Sequence, residues 1–92
     1  MTDAYEEAKK LTEIRQKIQS KDDLVSFILI LIKFLKEYPE DWENITLESY
    51  LDALAAWIND MDGYFHNIGE PVPQQPDWEL IGRSLMNASN YE

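Results

Sequence analysis

The spacing of apolar residues divides the chain into four helical segments. Tyr5, Ala8, Leu11, Ile14 and Ile18 recur in steps of three and four, with Lys9, Lys10, Glu13, Gln16 and Lys17 opposite them. That pattern predicts an amphipathic helix over residues 3–19. Glu6–Lys10 and Glu13–Lys17 stand at i,i+4 in the favourable order. Ser20 then interrupts the period, and Ser20-Lys21-Asp22-Asp23 reads as an N-cap with acids in the first turn. The second helix is predicted over 21–37. Its middle, LVSFILILIKFL, is apolar nearly all round. The β-branched residues admit a strand. The cap, the length of the run and the i,i+3 spacing of Lys33 and Lys36 favour a helix, and one so apolar is expected at the buried centre of a bundle.

Tyr38-Pro39 closes that helix, because the residue before proline avoids the helical region. Residues 39–44 form an acidic connector with room for one short turn at Pro39, and Trp42 is expected to fold back on the core. Thr46 is the expected cap of the third helix and Gly69 its stop. Leu47, Tyr50, Leu51, Leu54, Ile58, Met61, Phe65 and Ile68 make a continuous stripe, expected to hold the domain together, with Trp57 and Tyr64 beside it. Asp52, Ala56, Asn59, Asp60, Gly63 and Asn67 make the opposite face. Gly63 inside the helix costs about 1 kcal/mol relative to alanine and marks a close-packing point or a bend. Three prolines between residues 71 and 76 impose an extended connector. The fourth helix starts at Asp77, its natural cap, and places Trp78, Ile81, Leu85 and Ala88 on one face with Leu80 alongside. Residues 87–92 are expected to fray.

These segments predict an all-α fold: a small four-helix domain with a Pro-rich connector before the last helix. One domain spans 1–92, with 1–19 a peripheral amphipathic helix on a core of 20–92. The second helix is expected at the centre, with the third along it. At 92 residues there is room for one core only.

Charge changes the picture more than composition does. The net charge is −10, unevenly spread. Residues 1–36 hold seven Lys/Arg against six Asp/Glu, whereas residues 37–92 hold Arg83 alone against twelve acids, a net of −11. The acidic part should repel nucleic acid and anionic membrane and attract a basic protein partner. Cysteine is absent, so there is no disulfide and no thiolate metal site, which fits a reducing compartment. The N-terminal segment is polar where a signal peptide would be apolar, and the apolar run 24–35 is too short to span a bilayer. A soluble, cytoplasmic protein is expected.

Candidate chemistry is sparse. Asp60-Met61-Asp62-Gly63 resembles the start of a calcium loop, but position twelve of that loop would be Pro71 and the helical stripe runs through it. His66 is the lone histidine, with Asp62 at i−4. A surface pair explains it better than a general base, since no nucleophile is marked by a motif. Glu48/Asp52 and the connector acids are alike in setting, whereas acid–base catalysis needs two carboxylates in different environments. Neither a catalytic residue, a metal site nor a cofactor is therefore expected. Aromatic residues interleaved with acids describe a protein-binding surface. The expected contact residues are Trp42, Glu48, Asp52, Asp60, Asp62, Tyr64 and Trp78.

Trp42-Glu-Asn44, Thr46-Leu-Glu48, Leu51-x-Ala-Leu-x-Ala-Trp57, Asp60-Met-x-Gly-Tyr64, Gly69-Glu70, Pro73 and Pro76-x-Trp78 together resemble an uncharacterised family of small acidic bacterial proteins, a domain of unknown function. The resemblance covers residues 20–92. It implies a bacterial source and a stand-alone domain, and it carries over no catalytic residue. By analogy, small acidic bacterial proteins of this kind look like immunity or antitoxin partners. The expected function is a non-enzymatic protein-binding module, of immunity or antitoxin type, using an acidic surface. The alternatives are a structural homo-oligomer, a homodimer being the simplest, and a small enzyme with a pocket at His66 and Asp62 or at the tryptophans.

Overall fold

Local capping sets every junction of the fold. In the computed structural model, which describes residues 4–91, Ser20 Oγ accepts from the Asp23 amide at 3.1 Å while the Asp23 carboxylate accepts from the Gln19 amide at 3.0 Å. This pair separates α1 (Ala4–Gln16) from α2 (Lys21–Glu37). The first helix ends three residues before the expected Gln19, because the Lys17 and Ile18 amides bond back to Ile14 and Arg15 in tighter turns. Its expected start at Asp3 lies outside the described residues. The Tyr38 amide closes α2 on the Phe34 carbonyl, and a single 3-10 turn follows at Pro39–Asp41. Thr46 Oγ1 accepts from the Ser49 amide at 3.1 Å and opens α3 (Leu47–Asn67). That helix ends in a Schellman motif: Gly69 has φ 72°, its amide bonds to the His66 carbonyl, and the Glu70 amide bonds to the Phe65 carbonyl at 3.0 Å. Asp77 Oδ1 accepts from the Leu80 amide at 2.7 Å and opens α4 (Trp78–Ala88). The caps at Ser20, Thr46 and Asp77 and the stop at Gly69 are those read from the sequence. The fold is all-α, with four helices and no strand among the described residues.

The helices meet on α4, which packs against α1, α2 and α3. This corrects the expectation of α2 at the centre with α3 along it. The reason is Gly82. A Cβ there would lie 2.6 Å from Ile18 Cδ1, so α4 sits this deep without displacing the Ile18 side chain because position 82 carries none. One core cluster gathers Leu11, Ile18, Leu24, Phe27 and Leu31 from α1, the turn after it and α2; a second gathers Trp57, Phe65 and Leu80 from α3 and α4.

Two faces differ from expectation. Helix α2 is buried along one side only, at Leu24, Phe27 and Leu31, while Val25, Leu29 and Ile32 are exposed. The predicted stripe of α3 is also displaced. Ala53, Trp57 and Phe65 are buried, whereas Leu47, Leu51, Ile58 and Ile68 are exposed. The inward face is rotated by roughly 50° on a helix that advances about 100° per residue. Trp57, expected beside the stripe, buries more area than the aliphatic side chains it displaces; Phe65 of the stripe is buried as expected, and Tyr64 packs edge-on to both. Length matters too: α4 has 11 residues against 21 in α3, so at ~1.5 Å per residue it covers about half of its neighbour.

The C-terminal turn does not fray as expected. All four carbonyls that end α4 are satisfied. Leu85 accepts from the Tyr50 hydroxyl, Met86 from Ser89, Asn87 from the Asn90 amide, and Ala88 from the Asn44 side chain. Asn44 Nδ2 also reaches Tyr91 O at 2.8 Å, and the Glu43 and Asn44 amides both donate to Ser89 O at 3.0 Å. The acidic connector thus clamps the end of the last helix.

Candidate functional site

Because α2 and α3 both lean on α4 rather than on each other, a channel opens between them. Leu85 lies in its floor with Trp42 and Tyr50, whose rings stack at 6.1 Å. Ile28, Ile32 and Leu35 form the α2 wall. A separate hollow of about 280 Å³ lies between α3 and α4, where Ile58 and Met61 meet Leu80 and Ile81 beside Pro73–Pro76. Ile32, Ile58 and Ile81 line these hollows and are exposed, and Val25, Leu29, Leu47, Leu51 and Trp78 are further exposed apolar residues of the same three helices. Leu47 is 74% exposed and Leu29 61%. At roughly 180 Å² for a large apolar residue, these eight leave on the order of 700 Å² in water. A monomer's largest apolar patch usually reaches about 300–600 Å², and a standard protein interface takes ~800 Å² per partner.

Charge borders the channel on both sides, with opposite signs. On α3, Glu48 precedes Leu51 by three residues and Asp62 follows Ile58 by four, so each stands beside an exposed apolar side chain. Asp52 lies one turn beyond Glu48. On α2, Lys21 precedes Val25 by four and Lys36 follows Ile32 by four. The expected contact residues therefore fall into two groups. Trp42, half-buried, lines the channel, while Trp78 is exposed at the start of α4 and Glu48, Asp52 and Asp62 are exposed along α3. Asp60 and Tyr64 lie on the other side of α3, around a separate hollow with Trp57, Asn67 and Tyr91. There the Tyr91 hydroxyl donates to the Asp60 carboxylate, which raises the phenol pKa above its ordinary value through the hydrogen bond first and burial second.

A buried ionic cluster fastens α1 to α4. Glu79 accepts from Arg15 at 2.5 Å and from Arg83 Nε at 2.9 Å. Both guanidinium groups are more than nine-tenths buried, and Arg83 lies over the rings of Phe65 and Tyr64 at 5.0 and 5.8 Å. Glu70 stands 3.7 Å from Arg83 Nη1. Burial lowers the Arg83 pKa, but the bond and charge of Glu79 outweigh it, so the net shift is upward and Arg83 stays protonated. The cluster holds its own charges in balance and presents no free acid or base.

Asp60-Met61-Asp62-Gly63 lies inside α3 with helical backbone rather than in a loop. His66 is exposed in the last turn. Among the described residues no group of three or more His, Asp or Glu side chains could hold a metal ion, and no helix is long and apolar enough to cross a membrane.

Sequence reasoning missed the apolar channel because it assigned those side chains to the core. One signal was available: α2 is apolar nearly all round, and α3 carries both an aliphatic stripe and Trp57 with Tyr64. That is more apolar surface than four short helices can cover. It also passed over Arg15, which stands four residues from Leu11 and three from Ile18, within the inward face of α1.

A model of a family of unknown function (DUF7660) matches residues 20–92. No curated protein and no solved structure matches the chain.

Proposed function

Since the chain belongs to the DUF7660 family, whose function is unknown, we propose from its apolar channel that it is a non-enzymatic protein-binding module. The channel takes an apolar helix with basic flanks from a partner protein. The supporting observation is the set of eight exposed large apolar residues on α2, α3 and α4, three of them lining the hollows, with acids at helical spacing from those of α3. Helix-in-groove recognition works this way, through anchors at i, i+3/i+4 and i+7 with charge at the edges. The −11 carried by residues 37–92 supplies the attraction for a basic partner. An immunity- or antitoxin-type role in a bacterial cytoplasm completes the reading. A toxin gene beside the coding sequence would support that role, and its absence beside other family members would remove it.

The test is capture of a partner from the native host, identified and then measured with purified components. Leu29→Asp and Leu51→Asp change exposed residues and should leave the helix content unchanged while weakening binding at least tenfold. Glu48→Lys with Asp62→Lys should weaken it further, and the wild-type affinity should fall as salt rises. Unchanged binding in the Leu29 and Leu51 variants sinks the proposal.

One observation favours a second reading, a homodimer. Helix α2 itself is apolar at Val25, Leu29 and Ile32 and carries Lys21 and Lys36 beside them, so it matches the α3 border of another copy. In such a two-fold contact each α2 meets the partner's α3. Concentration separates the readings, since a homodimer assembles from this chain alone and a partner complex does not. Light scattering from low micromolar to near-millimolar concentration decides it, and a monomer throughout removes the homodimer.

A further inference from the structure

The hollow around Asp60 and Tyr64 has a volume of about 500 Å³ and opens between α3 and the end of α4. Tyr64 and Tyr91 line it, each half-buried, and Trp57 packs edge-on to Tyr64 at 5.1 Å. Asp60 lines it too and is exposed. One oxygen of the Asp60 carboxylate accepts from Asn59 Nδ2 at 3.2 Å, and the other accepts from the Tyr91 hydroxyl. Both donors are neutral, so they occupy acceptor positions and leave the charge in place. All eight Lys and Arg side chains are among the described residues, and none of them pairs with Asp60. Gly63 lines the same hollow. Glycine weakens a helix interior, and packing does not ask for it here, since a Cβ would meet nothing within 4 Å. What its missing side chain leaves open is part of the hollow.

We propose that this hollow binds a small quaternary ammonium compound, a cation that carries no N–H. Charge selects a cation: Asp60 is unpaired by any base, and residues 37–92 carry a net of −11 around it. The state of the acceptors selects the kind of cation. Both Asp60 oxygens already hold a donor, and Asn90 Oδ1, also in the lining, accepts from the Glu43 amide at 3.3 Å. A primary ammonium or a guanidinium brings several N–H groups that each need an acceptor, whereas a quaternary ammonium brings none. Aromatic rings supply the remaining contact, because a methylated ammonium is held on ring faces by cation–π attraction. The Tyr64 ring already has Arg83 at 5.8 Å, with that charge met by Glu79 and Glu70 in the clasp. The volume suits a small molecule, since ligand sites span about 300–1,000 Å³. This site is independent of the protein-binding channel, which is lined by other residues.

The test uses the full-length, ¹⁵N-labelled protein and choline chloride as the probe, against sodium chloride at equal ionic strength, followed through the backbone amides of Gly63, Asn67 and Tyr91. The expected result is a saturable shift of these signals with a dissociation constant in the low millimolar range, fitting for a ligand of this size. The alcohol 3,3-dimethylbutan-1-ol has the shape of choline without its charge, and ethanolamine has the charge with N–H groups in place of the methyls. Each should bind roughly fivefold more weakly. Asp60→Asn keeps an acceptor for the Tyr91 hydroxyl and removes the charge, and it should weaken choline by roughly the same factor. Gly63→Leu fills the hollow from an exposed helical position and should abolish binding at unchanged helix content. Leu29→Asp, which tests the channel, should leave choline binding unchanged, so the two readings fail separately. Shifts that stay linear through the millimolar range, equal binding of either analogue, or full binding by the folded Asp60→Asn or Gly63→Leu protein would each overturn the proposal.

Discussion

Two glycines on helices have opposite meanings, and space decides which. At Gly82 a methyl group would come within 2.6 Å of the end of the buried Ile18 side chain, which must shift, and would make ordinary contact with Leu24 and Phe27. At Gly63 it meets nothing within 4 Å. Gly82→Ala should therefore cost about 1–3 kcal/mol through overpacking. Gly63→Ala should stabilise α3 by up to about 1 kcal/mol by removing backbone freedom from the unfolded chain. Urea unfolding of the two variants checks both signs. Tyr50 sets the alkaline limit in the same local way. Burial raises its pKa above 10.0 by disfavouring the charged phenolate, and the neutral phenol is the form that donates to Leu85 O. A raised folded-state pKa means the contribution is complete below the unfolded value and is lost as pH rises through the folded one. Thermal stability should be level from neutral pH to about 9 and fall above about 10. Tyr50→Phe should blunt that fall while lowering stability at pH 7 by about 1 kcal/mol.

At the scale of the helix, what was legible was what short-range chemistry decides. Ser20, Thr46, Asp77 and Gly69 announce where helices begin and end, because capping is settled within a few residues. Which side of a helix faces inward was not legible for α2 and α3. That choice depends on the length of α4 and on how close Gly82 lets it come, and both are relations between distant segments. The channel was invisible for the same reason, since it exists only because α3 meets α4 and not α2. Of the expected contact residues, Trp42 lines that channel, and Glu48, Asp52, Asp62 and Trp78 are exposed on α3 and α4. The clasp between α1 and α4 was half legible: Glu79 and Arg83 stand at i,i+4, but nothing nearby in the chain points Arg15 at them. Glu79→Ala should cost about 3–5 kcal/mol, because it strands two buried guanidinium groups. Glu79→Gln should recover part of that loss. Denaturant midpoints of the two variants measure the difference.

Across the whole molecule, charge and contact are distributed in opposite ways. Charge divides early in sequence, with residues 1–36 near neutral and the rest strongly acidic. Contact converges late, on the eleven residues of α4. Raising ionic strength should relieve repulsion among the acids and raise the melting temperature modestly. It should leave the buried Arg15–Glu79–Arg83 cluster little changed.

The position of that central helix has a consequence for how the chain is made. Synthesis runs from the N-terminus, and a domain usually begins to organise as it emerges. Here the helix that α1, α2 and α3 all rest on is the last of the four to appear. Until residue 88 has been joined, Leu24, Phe27, Leu31, Trp57 and Phe65 have no common surface to cover them. A chain stopped after Pro76 should show little helix by circular dichroism and be cut rapidly by protease, although it holds three of the four helices. Adding a peptide of residues 77–92 in trans should restore both signals. If the shortened chain is folded and protease-resistant alone, α4 is not the keystone. On the nascent chain, α2 then presents its long apolar run with only α1 to cover it, which makes the interval before α4 arrives the time at which a chaperone would matter most.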